Sequence, residues 1–340
     1  MRRMPAEWEP QSGVQLTWPH KGTDWSPMLA EIERVYQDMA HEIAQRERLI
    51  VVADPLCELP EHLQGDVVRI PSDDTWARDH GFITVVEDGK ETLLDFCFNG
   101  WGRKFGAEKD NAINRALFQK GCFPTARYEA HLDFVLEGGS IESDGRGTVF
   151  TTECCLMAPH RNQPLSKTEI DTRLRRWLGA ERIVWLQHGR LVGDDTDGHI
   201  DTLVRVAPDN TLLYCAPPAD EQDEHHAELT ALESELRLLR TLAGSPYRLL
   251  PLPLPHPILD EGERLPATYA NYLVLNGAVL VPTYGQPDLD RMALQTIQHA
   301  FPDREVVGID CQPVVRQHGS LHCCTMQYHS IQVPHTHHIL

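Results

Sequence analysis

The feature that most constrains the fold of this chain is a rhythm: strand, strand, helix, strand, recurring about five times along 340 residues. A first, incomplete round has Val14–Trp18 extended, a helix from about Pro27 to Gln45 with Leu29, Ile32, Val35, Met39 and Ile43 on one face, and a buried-type strand Leu49–Ala53. The second has strands Phe82–Val86 and Thr92–Cys97, a helix across Asn111–Lys120, and extended chain near Ala126–Ala130. In the third, strands Asp133–Glu142 and Thr148–Thr152 precede a helix to about Leu178, whose Ser166 and Glu169 have capping-box spacing, and a strand Ile183–Leu186. The fourth reads His199–Ala207, Thr211–Cys215, a helix over about Glu221–Leu242 and Tyr247–Leu252. The fifth reads Tyr269–Leu275 and Ala278–Pro282 around the hairpin signal Asn276-Gly277, then a helix Asp288–Phe301 and a strand Glu305–Ile309.

One stretch is left over, Leu321–Met326 in Gly-Ser-Leu-His-Cys-Cys-Thr, and it supplies what the first round lacks. A strand there closes a ring between the two chain ends. Periods this long suggest radial repetition of supersecondary units, with an open α/β sheet and incidental hairpins as the alternative. The Pro-rich Leu250–Pro266 is expected as an extended connection with few hydrogen bonds.

Polar residues interrupt the apolar first strands at similar places. Asp79 lies just before the first strand of round two, Glu137 in that of round three, His199 and Asp201 open that of round four, and Cys323 sits in the leftover strand. If first strands line a central axis, these residues converge. Acids are rarely buried without a partner, so such a cluster is a costly way to build only a core. Successive strand side chains alternate faces, so Cys323 and Cys324 cannot both enter one site. Carboxylates around a thiol raise its pKa, yet they suit a planar guanidinium, whose N–H donors they bind in pairs. The acidic run Asp194-Asp195-Thr196-Asp197 is a solvated turn or, through Asp195, a receptor for a second positive charge. Trp76 and Trp101 fit a site wall offering a cation–π face, or ordinary core.

Composition narrows the partners. A net charge of −19 disfavours nucleic acid and anionic membrane and suits a small cationic ligand. Nine cysteines without disulfide or CxxC spacing, no apolar run long enough to span a bilayer and no leader-like N-terminus lead us to expect a cytoplasmic protein.

On Met4–Pro10, Trp76-Ala77-Arg78-Asp79, Asn99-Gly100-Trp101-Gly102, Glu137-Gly138-Gly139-Ser140, Gly198-His199-Ile200-Asp201 and His322-Cys323, the chain resembles the agmatine deiminase and bacterial-type peptidylarginine deiminase family of guanidino-group-modifying penteins. The resemblance implies one catalytic α/β domain over 1–340, a five-bladed pseudo-symmetric propeller (pentein) of repeated ββαβ units. It also implies Cys323 as nucleophile, Glu137 and His199 as its catalytic companions, Asp79 and Asp201 as guanidinium ligands, and Asp195 near a distal amine. Arg103, Glu142 and Cys324 depart from the usual family residues.

The expected reaction is hydrolytic deimination through a covalent cysteine intermediate, with agmatine as substrate, no cofactor and no metal. Arginine or peptidylarginine is the near rival, with Arg103 available to a carboxylate, and an amidinotransferase a further one. Two readings lie outside that class. His318-x3-His322 beside two cysteines suggests a zinc hydrolase, although strand spacing does not bring residues four apart together and no His-Glu-x2-His is present. A non-catalytic guanidinium-binding protein is the other. A symmetric homodimer is the base-rate expectation. The tail His335-x-His337-His338 reads as a disordered end that binds metal only adventitiously.

Overall fold

A computed structural model describes residues 1–329. Five sheets share one plan, an antiparallel pair of strands, then a helix, then a third strand parallel to the second. In unit two, Ile83–Glu87 pairs with Lys90–Cys97, the helix Asp110–Gln119 follows, and Arg127–Val135 lies parallel beside Lys90–Cys97. Units three and four repeat this with Ile141–Ser143, Thr148–Thr152 and Arg182–Leu186, and with Val204–Ala207, Thr211–Cys215 and Arg248–Leu252. Unit five uses Leu273–Leu275, Ala278–Thr283 and Glu305–Asp310.

Unit one is assembled from both ends of the described chain. Thr325–His329 runs antiparallel to Gln11–Thr17, which is followed by the helix Leu29–Ala44 and the parallel strand Leu49–Ala53. The leftover strand therefore takes the place that the repeat assigns it.

Local chemistry explains the elements. Leu-Ile-Val-Val-Ala at 49–53 is buried at every position, as a parallel strand covered on both faces must be. The helix Leu29–Ala44 buries Ile32, Val35, Tyr36, Met39, Ala40 and Ile43 on one stripe, each large side chain contributing roughly 1.5–3 kcal/mol. Lys167–Leu178 starts with the Ser166/Glu169 capping box and stops at Gly179 in the left-handed conformation (φ +66°). Asn276 ties unit five to unit one, its side chain exchanging hydrogen bonds with the Gln11 backbone at 3.0 and 3.1 Å.

Several inner strands begin later than the sequence suggests, because a tight helical turn precedes them. Gly138–Ser140, Ile200–Thr202 and His322–Cys324 are 3₁₀ turns, and Ala77–His80 is a single α turn. The inner strands then start at Ile83, Ile141, Val204 and Thr325. Glu137, His199, Asp201 and Cys323 thus lie in or beside turns and not in strands. In each 3₁₀ turn local i to i+3 bonds replace ladder bonds, such as Ser140 N–H to Glu137 O at 3.1 Å and Cys324 N–H to Leu321 O at 3.2 Å. The helix of unit four is shorter than expected, His226–Leu238, because Leu239 is already extended. Arg2–Arg3 and Asp66–Arg69 add edge strands that the repeat does not require. Within Leu250–Pro266 there is a small hairpin, Leu259–Asp260 with Glu263–Arg264, where an unpaired connection was expected. No helix among the described residues is long and apolar enough to cross a membrane. His335, His337 and His338 lie outside the described residues.

Candidate active site

The turns that delay the inner strands also aim side chains at one place. Asp79, Glu137, His199 with Asp201, Asn271 and Cys323 each come from a different unit, each a few residues ahead of that unit's inner strand. All are buried. Gly139 marks their meeting point. A Cβ there would stand 2.6 Å from His199 Nδ1, 2.9 Å from Asp79 Oδ1 and 3.1 Å from Asp201 Oδ2, so only glycine allows the three to approach.

Asp79 is held at both oxygens, accepting from Trp101 Nε1 at 2.9 Å and from the Gly139 N–H at 3.1 Å, with His199 Nδ1 at 3.6 Å. Burial, then the Asp201 and Glu137 charges, raise its pKa against the pull of His199. Asp201 Oδ2 lies 2.7 Å from His322 Nδ1, while Oδ1 has no partner. Burial raises its pKa, but the hydrogen bond and charge of His322 outweigh that and hold the carboxyl low. Glu137 Oε1 accepts from Arg161 Nε at 2.7 Å and Oε2 is unpartnered; Arg161 is fixed in turn by Asp197 at 2.7 Å and the Thr196 carbonyl at 2.9 Å. Both ring nitrogens of His199 are buried without a hydrogen-bond partner.

Cys323 donates its Sγ–H to Asn271 Oδ1 at 3.3 Å. Burial, followed by the Asp201 and Asp79 charges, pushes its thiol well above the ordinary range. Cys324 does not line the same cavity. It packs in the core near Tyr36, its thiol raised by burial to about 12. The two cysteines diverge as expected, but by the roughly 120° step of a 3₁₀ turn and not by strand alternation.

A cavity of about 260 Å³ leads down to Cys323 and Asp79. Trp76 and Trp101 stand in its wall, their ring centroids 6.5 Å apart. Trp76 is packed closely by Gly319, where any Cβ would lie 2.2 Å from the indole. Asp24, Asp74, Asp194 and Asp195 add carboxylates to the lining, and Asp195 is half exposed. The deep end thus offers the Asp79 carboxylate and the Cys323 thiol. The outer part offers further negative charge.

Beneath the site, His322 also contacts Glu7 Oε2 at 2.9 Å. Glu7 and Glu142 both bind Arg205, which also reaches the Ala270 carbonyl at 3.0 Å. Glu142, a departure from the family pattern, therefore belongs to this buried ionic layer. His318 and His322 face different partners, the former bonded to the Gly193 carbonyl at 2.7 Å, so the zinc pattern has no shared centre.

The sequence reading missed Asn271, Arg161 and the load carried by His322. Asn271 was findable, since it interrupts an apolar run as the other site residues do. Arg161 lies in a Pro-flanked loop with no periodic signal.

The family model for Porphyromonas-type peptidyl-arginine deiminase matches residues 3–328. An agmatine deiminase of Stutzerimonas stutzeri (strain A1501) is 33% identical over 354 residues, and the match covers 95% of this chain and 94% of the relative. A solved structure from Porphyromonas gingivalis, provisionally named an arginine deiminase, is 51% identical with a TM-score of 0.91, covering 97% of this chain and 98% of that one. The agmatine deiminase of C. jejuni, solved as a Cys-to-Ser variant with substrate bound, is 36% identical with a TM-score of 0.89 and 97% coverage of both chains.

Proposed function

Because the chain belongs to the Porphyromonas-type peptidyl-arginine deiminase family, we propose that it hydrolyses a guanidinium group to a ureido group and ammonia, with agmatine as the preferred substrate. The observation that carries this reading is the set of unpartnered buried atoms, Glu137 Oε2, Asp201 Oδ1 and both nitrogens of His199, grouped about Asp79, which with Asp201 acts on the Cys323 thiol. Such a set is incomplete without a planar donor-rich cation. In this reading the five units surround a common axis as a five-bladed propeller.

Asp79, Asp201 and Glu137 orient the guanidinium, whose charge offsets the carboxylates that hold the thiol protonated at rest. His199 takes the Cys323 proton as sulfur bonds to the guanidinium carbon, and returns it to the departing nitrogen. Ammonia leaves and an amidino-thioether remains. Water then gives a proton to His199 and its oxygen to the carbon, the C–S bond breaks, and sulfur recovers a proton. With agmatine the product is N-carbamoylputrescine. That a Cys-to-Ser variant of the C. jejuni relative retains substrate supports a cysteine role in chemistry and not in binding.

Agmatine is favoured over arginine because the cavity lining carries four aspartates beyond Asp79 and neither lysine nor arginine. Product analysis with agmatine, arginine and a capped arginyl peptide tests the choice; agmatine turning over much more slowly than the others would refute it. Cys323→Ala is expected to abolish product and Cys324→Ala to retain it, and the opposite pattern would overturn the assignment.

A further inference from the structure

His318 lines the outer cavity in a conformation that favours glycine, with φ +62°. A non-glycine residue there costs roughly 1 kcal/mol or more. Two hydrogen bonds hold it: its N–H to the Val315 carbonyl at 2.9 Å, and Nδ1 to the Gly193 carbonyl at 2.7 Å. A carbonyl oxygen only accepts, so Nδ1 carries hydrogen in either protonation state. All change therefore falls on Nε2, which has no hydrogen-bond partner among the described residues. Neutral His318 presents a lone pair there, and protonated His318 presents a donor and a positive charge.

The surroundings make that difference consequential. Asp195 Oδ2 lies 3.9 Å from Nδ1, and Asp24, Asp74 and Asp194 share the cavity lining. Lys104 bonds the Asp195 backbone carbonyl at 2.6 Å and pairs with Asp197 at 2.9 Å, so it leaves the Asp195 carboxylate free. On its outer side His318 borders a recess lined by Asp260, Glu261, Glu263 and Arg316, and Arg316 is engaged by Asp260 at 3.4 Å.

We propose that His318 selects the group at the far end of the substrate. Neutral, its Nε2 accepts from a distal ammonium alongside Asp195. Protonated, it neutralises Asp195, repels that ammonium and donates to a distal carboxylate. The chain's preference between an amine-ended and an amino-acid-ended guanidine then follows the charge of one imidazole. This rests on the deiminase reading above.

The test is the ratio of kcat/KM for agmatine to that for arginine, measured from about pH 8 to about pH 5.5. Both substrates present the same guanidinium to the same catalytic groups, so titration of those groups cancels in the ratio. In the wild-type protein the ratio is expected to fall about five-fold as pH falls, the effect of one half-buried charge. In His318→Gln, and in His318→Gly, which also relieves the left-handed backbone, it is expected to stay flat. A flat wild-type ratio overturns the proposal, as does a slope that survives in both variants, which would assign it to Asp195 or another acid. Arginine inert at both ends of the range also overturns it. Absence of turnover with either substrate overturns the deiminase reading, and this inference with it.

Discussion

Gly139 shows how much of the site depends on a single missing side chain. Its N–H binds Asp79 and its bare Cα lets Asp79, His199 and Asp201 close to contact distance. Gly139→Ala forces all three apart, and displacements of this size cost about 100-fold in rate. The expected outcome is kcat lower by at least about that factor, with a far-ultraviolet spectrum unchanged from wild type; an alanine variant with near-normal kcat would contradict the geometry. Glu137 and Cys323 were legible in the sequence because a charged or thiol side chain within an apolar run stands out, and Asp79, His199 and Asp201 because they stand at the start of one. Arg161 was not, because it is contributed by an irregular loop whose path depends on contacts far away in the chain, with Asp197 and Thr196. Strand alternation is the wrong reason for Cys323 and Cys324 to face apart, since both lie in a 3₁₀ turn; the choice of Cys323 came from the resemblance at His322-Cys323. The short turn that separates them carries no sequence period that a strand of similar composition lacks.

At the level of elements, the helices of units one, two, three and five were readable to within two residues at each end, and Leu49–Ala53, Thr148–Thr152 and Thr211–Cys215 without any change of bounds, whereas the helix of unit four and the strand Arg127–Val135 were not. Each is short, apolar and punctuated by turn residues. The inner strands were blurred because the apolar residues before them serve the turn, and a 3₁₀ turn of three residues has too little length to show a period. The edge strand Asp66–Arg69, largely exposed, lacks the apolar pattern that would announce it. Caps are where local sequence acts most directly. Ser166→Ala removes the side-chain bond to the Glu169 N–H and one half of the capping box. Loss of about 1 kcal/mol in urea unfolding is expected, with kcat unchanged since neither Ser166 nor Glu169 lines the cavity. An unchanged midpoint would show that the box contributes nothing.

For the whole molecule, the buried ionic layer formed by Glu7, Glu142, Arg205 and His322 joins the N-terminal segment, units three and four and the turn that carries Cys323. Arg205 is the principal cation opposing the burial of both glutamates. Arg205→Met leaves two carboxylates buried without it and is expected to cost about 3–5 kcal/mol at neutral pH. In that variant burial lifts the glutamate pKa values above their unfolded values, and a group so shifted favours the folded state as pH falls. The deficit relative to wild type should therefore shrink between about pH 7.5 and about pH 5, as chemical denaturation at the two pH values would reveal; a deficit that grows would exclude this account. The same closure has a consequence for how the chain is made. Residues 11–17 emerge from the ribosome early and wait for their partner at 325–329, an interval of some tens of seconds at about 5–20 residues per second. Through that interval the sheet keeps one unpaired edge. Asp79, Glu137, His199 and Asp201 are all synthesised before Cys323, so in the proposed deiminase reading a chain that stops short of residue 323 lacks the one sulfur the chemistry needs.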